Sequence, residues 1–275
     1  MRGLSPIGIF DSGIGGLTVL KEIKRNLPEE DIVYLGDTAR VPYGIRSPET
    51  ITRYSFEAAA FLMKLNIKML VVACNTSSAI SLNALKRSVS VPVIGVIEPG
   101  ARAAVNASKT RRIGVIGTEA TISSGAYARA IKKISQRAEI VAAACPLFVP
   151  LVEEGWFDNE ITRLTAELYL SPLKKDNIDT LVLGCTHYPL LKDVIGNIMG
   201  DSVSLIDSAI ETALQVKDVL KEGGIFKKYI SVTPSYEYYV TDSPERFKRI
   251  GEMFLGEELK QVKKIDICRR ENNAY

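Results

Sequence analysis

The 275-residue sequence has little of several features that would place it in a specialised class of protein. Its four cysteines are too sparse for a disulfide-stapled secreted fold, and free thiols persist in the reducing cytosol. It has no apolar run long enough to cross a membrane, and we expect no signal peptide. The 35 basic and 32 acidic residues are interspersed, without a dense Lys/Arg block. The sequence therefore predicts a cytoplasmic globular protein that binds neither nucleic acid as its main partner nor a membrane.

Short apolar runs of strand length alternate with amphipathic stretches of helical length. Such alternation is typical of an α/β fold with mainly parallel sheets. Ser47 and Ser243 each precede a proline and a glutamate, which predicts a helix cap at both positions. The expected strands lie near residues 7–10, 32–35, 69–73, 93–96, 113–117, 140–144, 181–184 and 204–206, with two later candidates in YEYYVT and QVKKIDI.

Three pairs of similar segments recur in the same order at nearly the same spacing. IGIFDS starts at residue 7 and IGVIGT at residue 113, VACNT is matched by LGCTH, and the strand before Glu98 is matched by the strand before Asp207. This repetition predicts two similar, pseudo-symmetric α/β domains, one formed by residues 1–97 with 207–275 and the other by 98–206. Ligands of such sheets bind beyond the carboxyl ends of the strands, so we expect the active site in the cleft between the domains.

Two cysteines stand at matching strand ends, Cys74 in LVVACNTSSA and Cys185 in LVLGCTHYPLL. A helix starting at each position would lower the pKa of the thiol, and a shift of about one to two units would make a usable base. A disulfide and a metal site with His187 are alternatives, but the chain has one histidine and no closely spaced cysteine pair, so we expect no metal. Cys145 and Cys268 are expected to be ordinary buried residues.

Polar residues share these strand ends with the thiols. Asp11 is either a helix cap or a proton-handling group, and it opens a glycine-rich turn that matches no phosphate-binding motif. His187, two positions after a thiol, is suited to acid–base help. Either Glu153 or Glu154 is a further candidate acid. Neutral donors and acceptors suited to a small zwitterion, or to lining its site, are Ser12, Tyr43, Gly44, Asn75, Thr76 and Thr186.

Five segments, IGIFDSGIGGLTVL, YLGDTARVPYG, VVACNTSSA, GVIEPGA and LVLGCTHYPLL, together resemble the cofactor-independent aspartate/glutamate racemase family from Ile7 to about Asp207. The resemblance implies interconversion of L- and D-glutamate for peptidoglycan synthesis, without a cofactor or metal, by an enzyme that is commonly a homodimer. It implies that Cys74 acts on D-glutamate with help from Asp11. It also implies that Cys185 acts on L-glutamate with help from Glu153 and His187. The implied substrate-binding residues are Asp11, Ser12, Tyr43, Gly44, Asn75, Thr76, Thr186 and His187.

Such a reaction has a physical reason to use two like groups. Inverting a stereocentre by proton transfer needs a base on one face and an acid on the opposite face. Like-charge repulsion across a closed cleft favours one thiolate facing one thiol. Two alternatives stay open: an aspartate racemase or another racemase of the same superfamily, because the length of the substrate side chain does not follow from these residues, and a non-catalytic protein that binds an amino acid as a regulator.

Overall fold

The computed structural model describes residues 4–227 and 233–267. Within those ranges the strands are β1 Ile7–Asp11, β2 Ile32–Gly36, β3 Met69–Val72, β4 Val93–Gly95, β5 Arg112–Gly117, β6 Glu139–Ala144, β7 Thr180–Gly184, β8 Ser204–Asp207, β9 Tyr236–Val240 and β10 Val262–Lys264. The helices are α1 Leu17–Asn26, α2 Pro48–Lys64, α3 Asn75–Ser88, α4 Ile97–Ala107, α5 Glu119–Ser123, α6 Ala126–Ile134, α7 Phe148–Glu153, α8 Glu160–Lys175, α9 Lys192–Met199, α10 Ser208–Glu222 and α11 Pro244–Leu255.

The strands form two sheets in which neighbouring strands run parallel. The first sheet has the order β10-β9-β2-β1-β3-β4 and the second has the order β6-β5-β7-β8. The order β2-β1-β3-β4 in the first sheet is therefore repeated as β6-β5-β7-β8 in the second. The predicted α/β fold with two similar halves is confirmed, and the two C-terminal strands extend the first sheet beside β2.

The central strands are almost entirely apolar because helices cover both of their faces. Every residue of β1, β2, β3 and β7 is buried, so these segments read as continuous apolar runs instead of alternating ones. The edge strands β6 and β8 are partly exposed. No helix within the described ranges is both long and apolar enough to span a bilayer.

The chain passes between the sheets twice, each time directly from a strand into a helix. β4 ends at Gly95 and α4 begins at Ile97; β8 ends at Asp207 and α10 begins at Ser208. Helix α4 packs against β7 and β8, whereas α10 packs against α1 and α4. The crossings are neighbours, since a Cβ placed on Gly100 would lie 3.1 Å from the Cβ of Ser208. We propose that the domain division falls at residues 97/98 and 206/207.

The two predicted helix caps turn out differently. Ser47 caps α2, and its side chain accepts a hydrogen bond from the backbone N–H of Thr50 at 3.3 Å. Ser243 occupies the N-cap position of α11 but makes no capping bond. A capping side chain requires extended backbone, whereas Ser243 is left-handed with φ of +48°. The predicted helix start at Ser243 and Pro244 is therefore confirmed, but the side chain of Ser243 does not cap it.

A buried ion pair stabilises the amino-terminal end of the first sheet. Lys68, just before β3, contacts the carboxylate of Glu30 and donates a hydrogen bond to the carbonyl of Ile225 at 2.9 Å. Glu30 also accepts the backbone N–H of Lys227 at 2.9 Å. Because Cys74 follows β3 at its other end, this cluster lies a strand length away from the thiol.

Candidate active site

The carboxyl ends of the central strands carry the polar residues singled out in the sequence. Asp11 ends β1 and Cys74 follows β3; Thr118 follows β5 and Cys185 follows β7. The two cysteines are nearly buried, with Cys74 5% and Cys185 6% exposed. Since β1 and β3 in the first sheet correspond to β5 and β7 in the second, the thiols occupy matching positions.

The glycine-rich turn after β1 lies directly against the loop that carries Cys185. A Cβ placed on Gly15 would lie 2.2 Å from Oγ1 of Thr186 and 2.5 Å from Nδ1 of His187. The hydroxyl of Thr18, in the first turn of α1, donates to the carbonyl of Thr186 at 3.2 Å. Gly15 is therefore required because two polypeptide segments meet closely, which joins the strand ends of the two sheets in one site.

Cys74 lies at the N-cap position of α3. Its Sγ accepts the backbone N–H of Ser77 at 3.5 Å, and its thiol donates to Oγ of Ser12 at 3.6 Å. Burial, followed by the negative charge of Asp11, raises the pKa of Cys74 to about 11 in spite of these bonds. The hydrogen bond from the helix start acts to lower the pKa, as expected, but burial and Asp11 outweigh it; the expected net lowering is therefore wrong, and Cys74 is a neutral thiol at pH 7.

Asp11 is fully buried beside Cys74. Its Oδ2 accepts the backbone N–H of Gly13 at 2.9 Å, whereas its Oδ1 has no hydrogen-bond partner in the described part of the chain. Burial raises the pKa of Asp11, although the charge of His187 and backbone N–H groups act in the opposite direction. The N-cap residue of α1 is Gly16, so Asp11 is available for proton handling instead of occupying the cap position.

Cys185 belongs to a chain of three titratable groups. Its Sγ lies 3.8 Å from Nδ1 of His187, and Nε2 of His187 lies 3.3 Å from Oε1 of Glu153. Burial alone would lower the pKa of His187, but the interactions with Cys185 and Glu153 raise it to about 10. His187 is therefore an imidazolium at pH 7, next to the sulfur.

The positive charge beside Cys185 thus comes mainly from a side chain. The residues that follow His187 form a 3₁₀ turn, Tyr188–Leu191, and α9 begins only at Lys192. The expectation of an α-helix start directly at Cys185 is wrong, because a 3₁₀ turn lies between this residue and α9.

The two adjacent acids at the end of α7 differ in their contacts. Glu153 reaches His187 and also accepts a bond from Arg246 of α11 at 3.4 Å. Burial raises the pKa of Glu153, but His187 and Arg246 outweigh it, so the pKa is lowered and the group is a carboxylate. Glu154 is exposed, and its described ion pair is with Arg246 at 3.6 Å. Of the two, Glu153 has the geometry to assist Cys185 through His187.

Asn75 and Thr76 follow Cys74 and contact the second half of the molecule. Oδ1 of Asn75 accepts the hydroxyl of Tyr127 at 2.7 Å, whereas its buried Nδ2 has no partner among the described residues. The hydroxyl of Thr76 lies 2.9 Å from that of Thr118 and 3.2 Å from that of Thr121. Tyr127 and Thr121 were missed in the sequence, where nothing distinguishes them from ordinary helix residues.

Tyr43 and Gly44 approach the same cleft by their backbone. The hydroxyl of Tyr43 donates to the carboxylate of Asp37, which turns that end of the side chain away from a ligand. Gly44 packs so closely that a Cβ there would lie 2.6 Å from Cβ of Thr118. Beside them, a cavity of about 290 Å³ is bounded partly by Gly44, Thr118 and Glu153.

Cysteines outside this site match expectation where the structure describes them. Cys145 is a fully buried free thiol, and Cys74 and Cys185 are also free, which contradicts the disulfide alternative. Cys268 lies outside the described residues. Within the described ranges, no three His, Cys, Asp or Glu side chains are grouped as metal ligands.

Two buried thiols at matching strand ends, each with its own acid–base neighbours, define an amino-acid racemase. The model of the family described as Asp/Glu/Hydantoin racemase matches residues 7–216. The chain belongs to this family, which confirms the resemblance found in the sequence motifs.

Individual relatives agree along nearly the whole chain. Glutamate racemase of Geobacter metallireducens is 58% identical over 261 residues, covering 95% of this chain and 96% of that protein. The crystal structure of glutamate racemase isoform RacE1 from Bacillus anthracis has a TM-score of 0.92 at 44% identity, covering 95% of this chain and 97% of that one. Glutamate racemase from Francisella tularensis, in complex with D-glutamate, has a TM-score of 0.91 at 40% identity, covering 97% and 99%.

Proposed function

We propose that the protein interconverts L- and D-glutamate by a two-base mechanism in which Cys74 and Cys185 act on opposite faces of the α-carbon. The observation that carries this proposal is the unlike setting of two matching thiols. Cys74 is kept neutral by burial and Asp11, whereas Cys185 lies beside the imidazolium of His187. The names of the relatives support glutamate as the substrate, as does the D-glutamate complex of the Francisella enzyme.

In the direction from L- to D-glutamate, Cys185 begins as the thiolate, stabilised by His187. It takes the α-proton, so that the C–H bond breaks and an S–H bond forms. The thiol of Cys74 then gives its proton to the opposite face of the carbanion-like state. The product is D-glutamate, with Cys185 as the thiol and Cys74 as the thiolate. This direction requires Cys74 to start as the thiol, and burial and the charge of Asp11, which raise its pKa to about 11, favour that state.

In the reverse direction, Cys74 must first lose its proton. Asp11 is the neighbouring group suited to this step, because its raised pKa brings the buried carboxyl closer to the range in which it can accept one. Its unpartnered Oδ1 provides an acceptor atom. On the other side, Cys185 must first become a thiol, and the imidazolium of His187, whose Nδ1 lies 3.8 Å from Sγ, is the group placed to give it a proton. Cys185 then gives that proton to the opposite face of the α-carbon and returns to the thiolate, while Asp11 and His187 recover their starting protonation states by exchange with solvent.

The α-proton of an amino acid is very weakly acidic, so the site must stabilise the negative charge that develops at the α-carboxylate. Preorganised donors in a dry site provide that help. The buried Nδ2 of Asn75 is such a donor, since its Oδ1 is already fixed by Tyr127. We assign the remaining substrate contacts to hydroxyl and backbone groups of Ser12, Tyr43, Gly44, Thr76, Thr186 and His187.

The test is racemisation of each glutamate enantiomer, followed by circular dichroism in the wild type and in Cys74→Ala and Cys185→Ala. We expect both variants to lose racemisation and to remain folded. Cys145→Ala is the matched control, because Cys145 is also a buried free thiol but lies outside the pair. Near-normal activity in either of the first two variants would contradict the two-base mechanism.

Assays on the same purified protein distinguish glutamate racemisation from two competing functions. An aspartate racemase would convert aspartate faster than glutamate under equal conditions. A regulatory amino-acid-binding protein would bind glutamate without catalysing exchange of its α-hydrogen, whereas the racemase must introduce solvent deuterium at that position. Deuterium incorporation measured by mass spectrometry therefore decides between catalysis and binding alone.

In the cell we propose that the enzyme works in the cytoplasm as a homodimer and supplies D-glutamate for peptidoglycan synthesis. Growth of a bacterial strain that requires added D-glutamate tests the biological role: the wild-type gene should remove the requirement and the Cys74→Ala gene should not. Light scattering after size-exclusion chromatography tests the dimer, since the monomer mass is 30.2 kDa.

A further inference from the structure

Helix α11 contacts both halves of the molecule beside the series of interacting groups Cys185, His187 and Glu153. It packs against α1 and β10, which belong to the first-sheet side. From there Arg246 reaches Oε2 of Glu153 at 3.4 Å, and Phe254 presents its ring edge-on to His187 with centroids 5.7 Å apart. The same helix therefore touches two of the groups that surround the Cys185 thiol, although α7 and the loop after β7 lie on the second-sheet side.

The carboxylate of Glu153 is held from two directions. Oε1 faces Nε2 of His187, and Oε2 faces Nη2 of Arg246. Glu153 is the last residue of α7, a helix of six residues, and Gly155 follows with a left-handed φ of +75°. Because α7 ends at Glu153, the orientation of the Glu153 side chain depends on the contacts that its carboxylate makes with His187 and Arg246.

Resting on the function proposed above, we infer that Arg246 is a positioning residue, which fixes the Glu153 carboxylate against His187 from the opposite wall of the cleft and so supports the Cys185 half of the reaction. Arg246 does not contact the thiol. Its effect passes through Glu153, and it depends on α11 and α7 being together.

Solvent exposure of the ion pair between Arg246 and Glu153 limits how much it can contribute to kcat. The Arg246 side chain is 50% exposed, and exposed ion pairs contribute at most about 1 kcal/mol, which corresponds to about a fivefold change in rate. We therefore expect Arg246→Gln to lower kcat about two- to fivefold at low ionic strength and to leave KM nearly unchanged. The difference from the wild type should shrink as salt is added, because the interaction is screened.

The single histidine of the sequence allows a direct test that does not depend on activity. In protein without a histidine tag, the ring signals of selectively labelled histidine report the pKa of His187 by NMR. The charged or titratable groups around the ring are Cys185 on its own loop, Glu153 on α7, Asp11 on β1 and, behind Glu153, Arg246 on α11.

The direction of the NMR shift separates positioning from a simple charge effect. If Arg246 positions Glu153, then Arg246→Gln releases the carboxylate and the pKa of His187 falls. If Arg246 acts only as a nearby positive charge, its removal raises the pKa of His187. Arg246→Lys should restore most of the wild-type pKa and kcat.

Arg249→Gln is the matched control, since Arg249 is an exposed arginine one turn along the same helix. We expect it to change neither the pKa of His187 nor kcat. A pKa in Arg246→Gln that is equal to or higher than that of the wild type would overturn the inference. A fall in that pKa with no racemase activity in the wild type would instead leave the contact standing and contradict the proposed function.

Discussion

Gly15 offers the sharpest test of how the site is assembled, because a single added methyl group has no space there. A Cβ at this position would lie 2.2 Å from Oγ1 of Thr186, 2.5 Å from Nδ1 of His187 and 2.7 Å from Cε1 of His187. These are sub-van-der-Waals distances to side chains that also contact the backbone and one another. We therefore expect Gly15→Ala to push the loop carrying Cys185 away from the turn after β1.

The expected stability loss is moderate and the activity loss is large. Inserting a methyl group into a tightly packed region costs about 1–3 kcal/mol. For a domain of this size each kcal/mol lowers Tm by about 2–4 °C. Displacing a catalytic group by about 1 Å can reduce the rate about 100-fold. Activity should therefore fall far more than the folded fraction does.

The assay combines circular-dichroism racemisation kinetics with thermal unfolding of the same protein. Gly196→Ala in α9 is the control, because its nearest atom, Cδ1 of Leu205, lies at an ordinary 3.7 Å. Alanine in a helix interior should stabilise that variant by about 0.5–1 kcal/mol, with unchanged activity. Wild-type kcat and KM in Gly15→Ala would refute the close packing of the two segments.

Three further predictions concern the ion pair, the histidine and the absence of a metal. Lys68→Met should destabilise the protein by about 3–5 kcal/mol, measured by urea unfolding, because it leaves Glu30 buried without its cation; kcat should not change. His187 has a raised folded pKa of about 10, so its stabilisation is complete below about pH 6.5 and is lost as the pH rises through 10. The difference in unfolding free energy between the wild type and His187→Gln should therefore shrink over that range, and a constant difference would contradict it. Activity should survive exhaustive chelation, and a loss restored by zinc would favour a metal site.

The sequence predicted the strands, the paired cysteines and the Ser47 cap correctly, because at each of these places a single physical reason explains the residue type. Continuous apolar runs located the strands, because parallel strands covered by helices need apolar residues on both faces. The two matching cysteine frames located the paired thiols because the repeat implied matching topology. Ser47 was correctly identified as a cap because extended backbone before a proline leaves few other roles for serine.

The sequence was less informative wherever an outcome depended on long-range packing. The pKa of Cys74 is raised mainly by its burial and then by the charge of Asp11, 63 positions earlier, and the two together outweigh the hydrogen bond from the helix start. Arg246 approaches Glu153 and Phe254 approaches His187 because β9 brings the C-terminal segment back beside β2. The choice between Glu153 and Glu154 needed the direction of two adjacent side chains, which spacing alone does not provide.

The two strand-to-helix crossings have a mechanical consequence. At each crossing, after Gly95 and after Asp207, the chain passes within two residues from a strand of one sheet into a helix that packs against the other half, and α4 and α10 lie side by side. Two short, adjacent connections restrict sliding and twisting of the two halves of the molecule relative to each other. The strand ends that carry Cys74 and Cys185 therefore cannot slide far past each other without unwinding the start of α4 or of α10, so the connections help to keep the two thiols aligned.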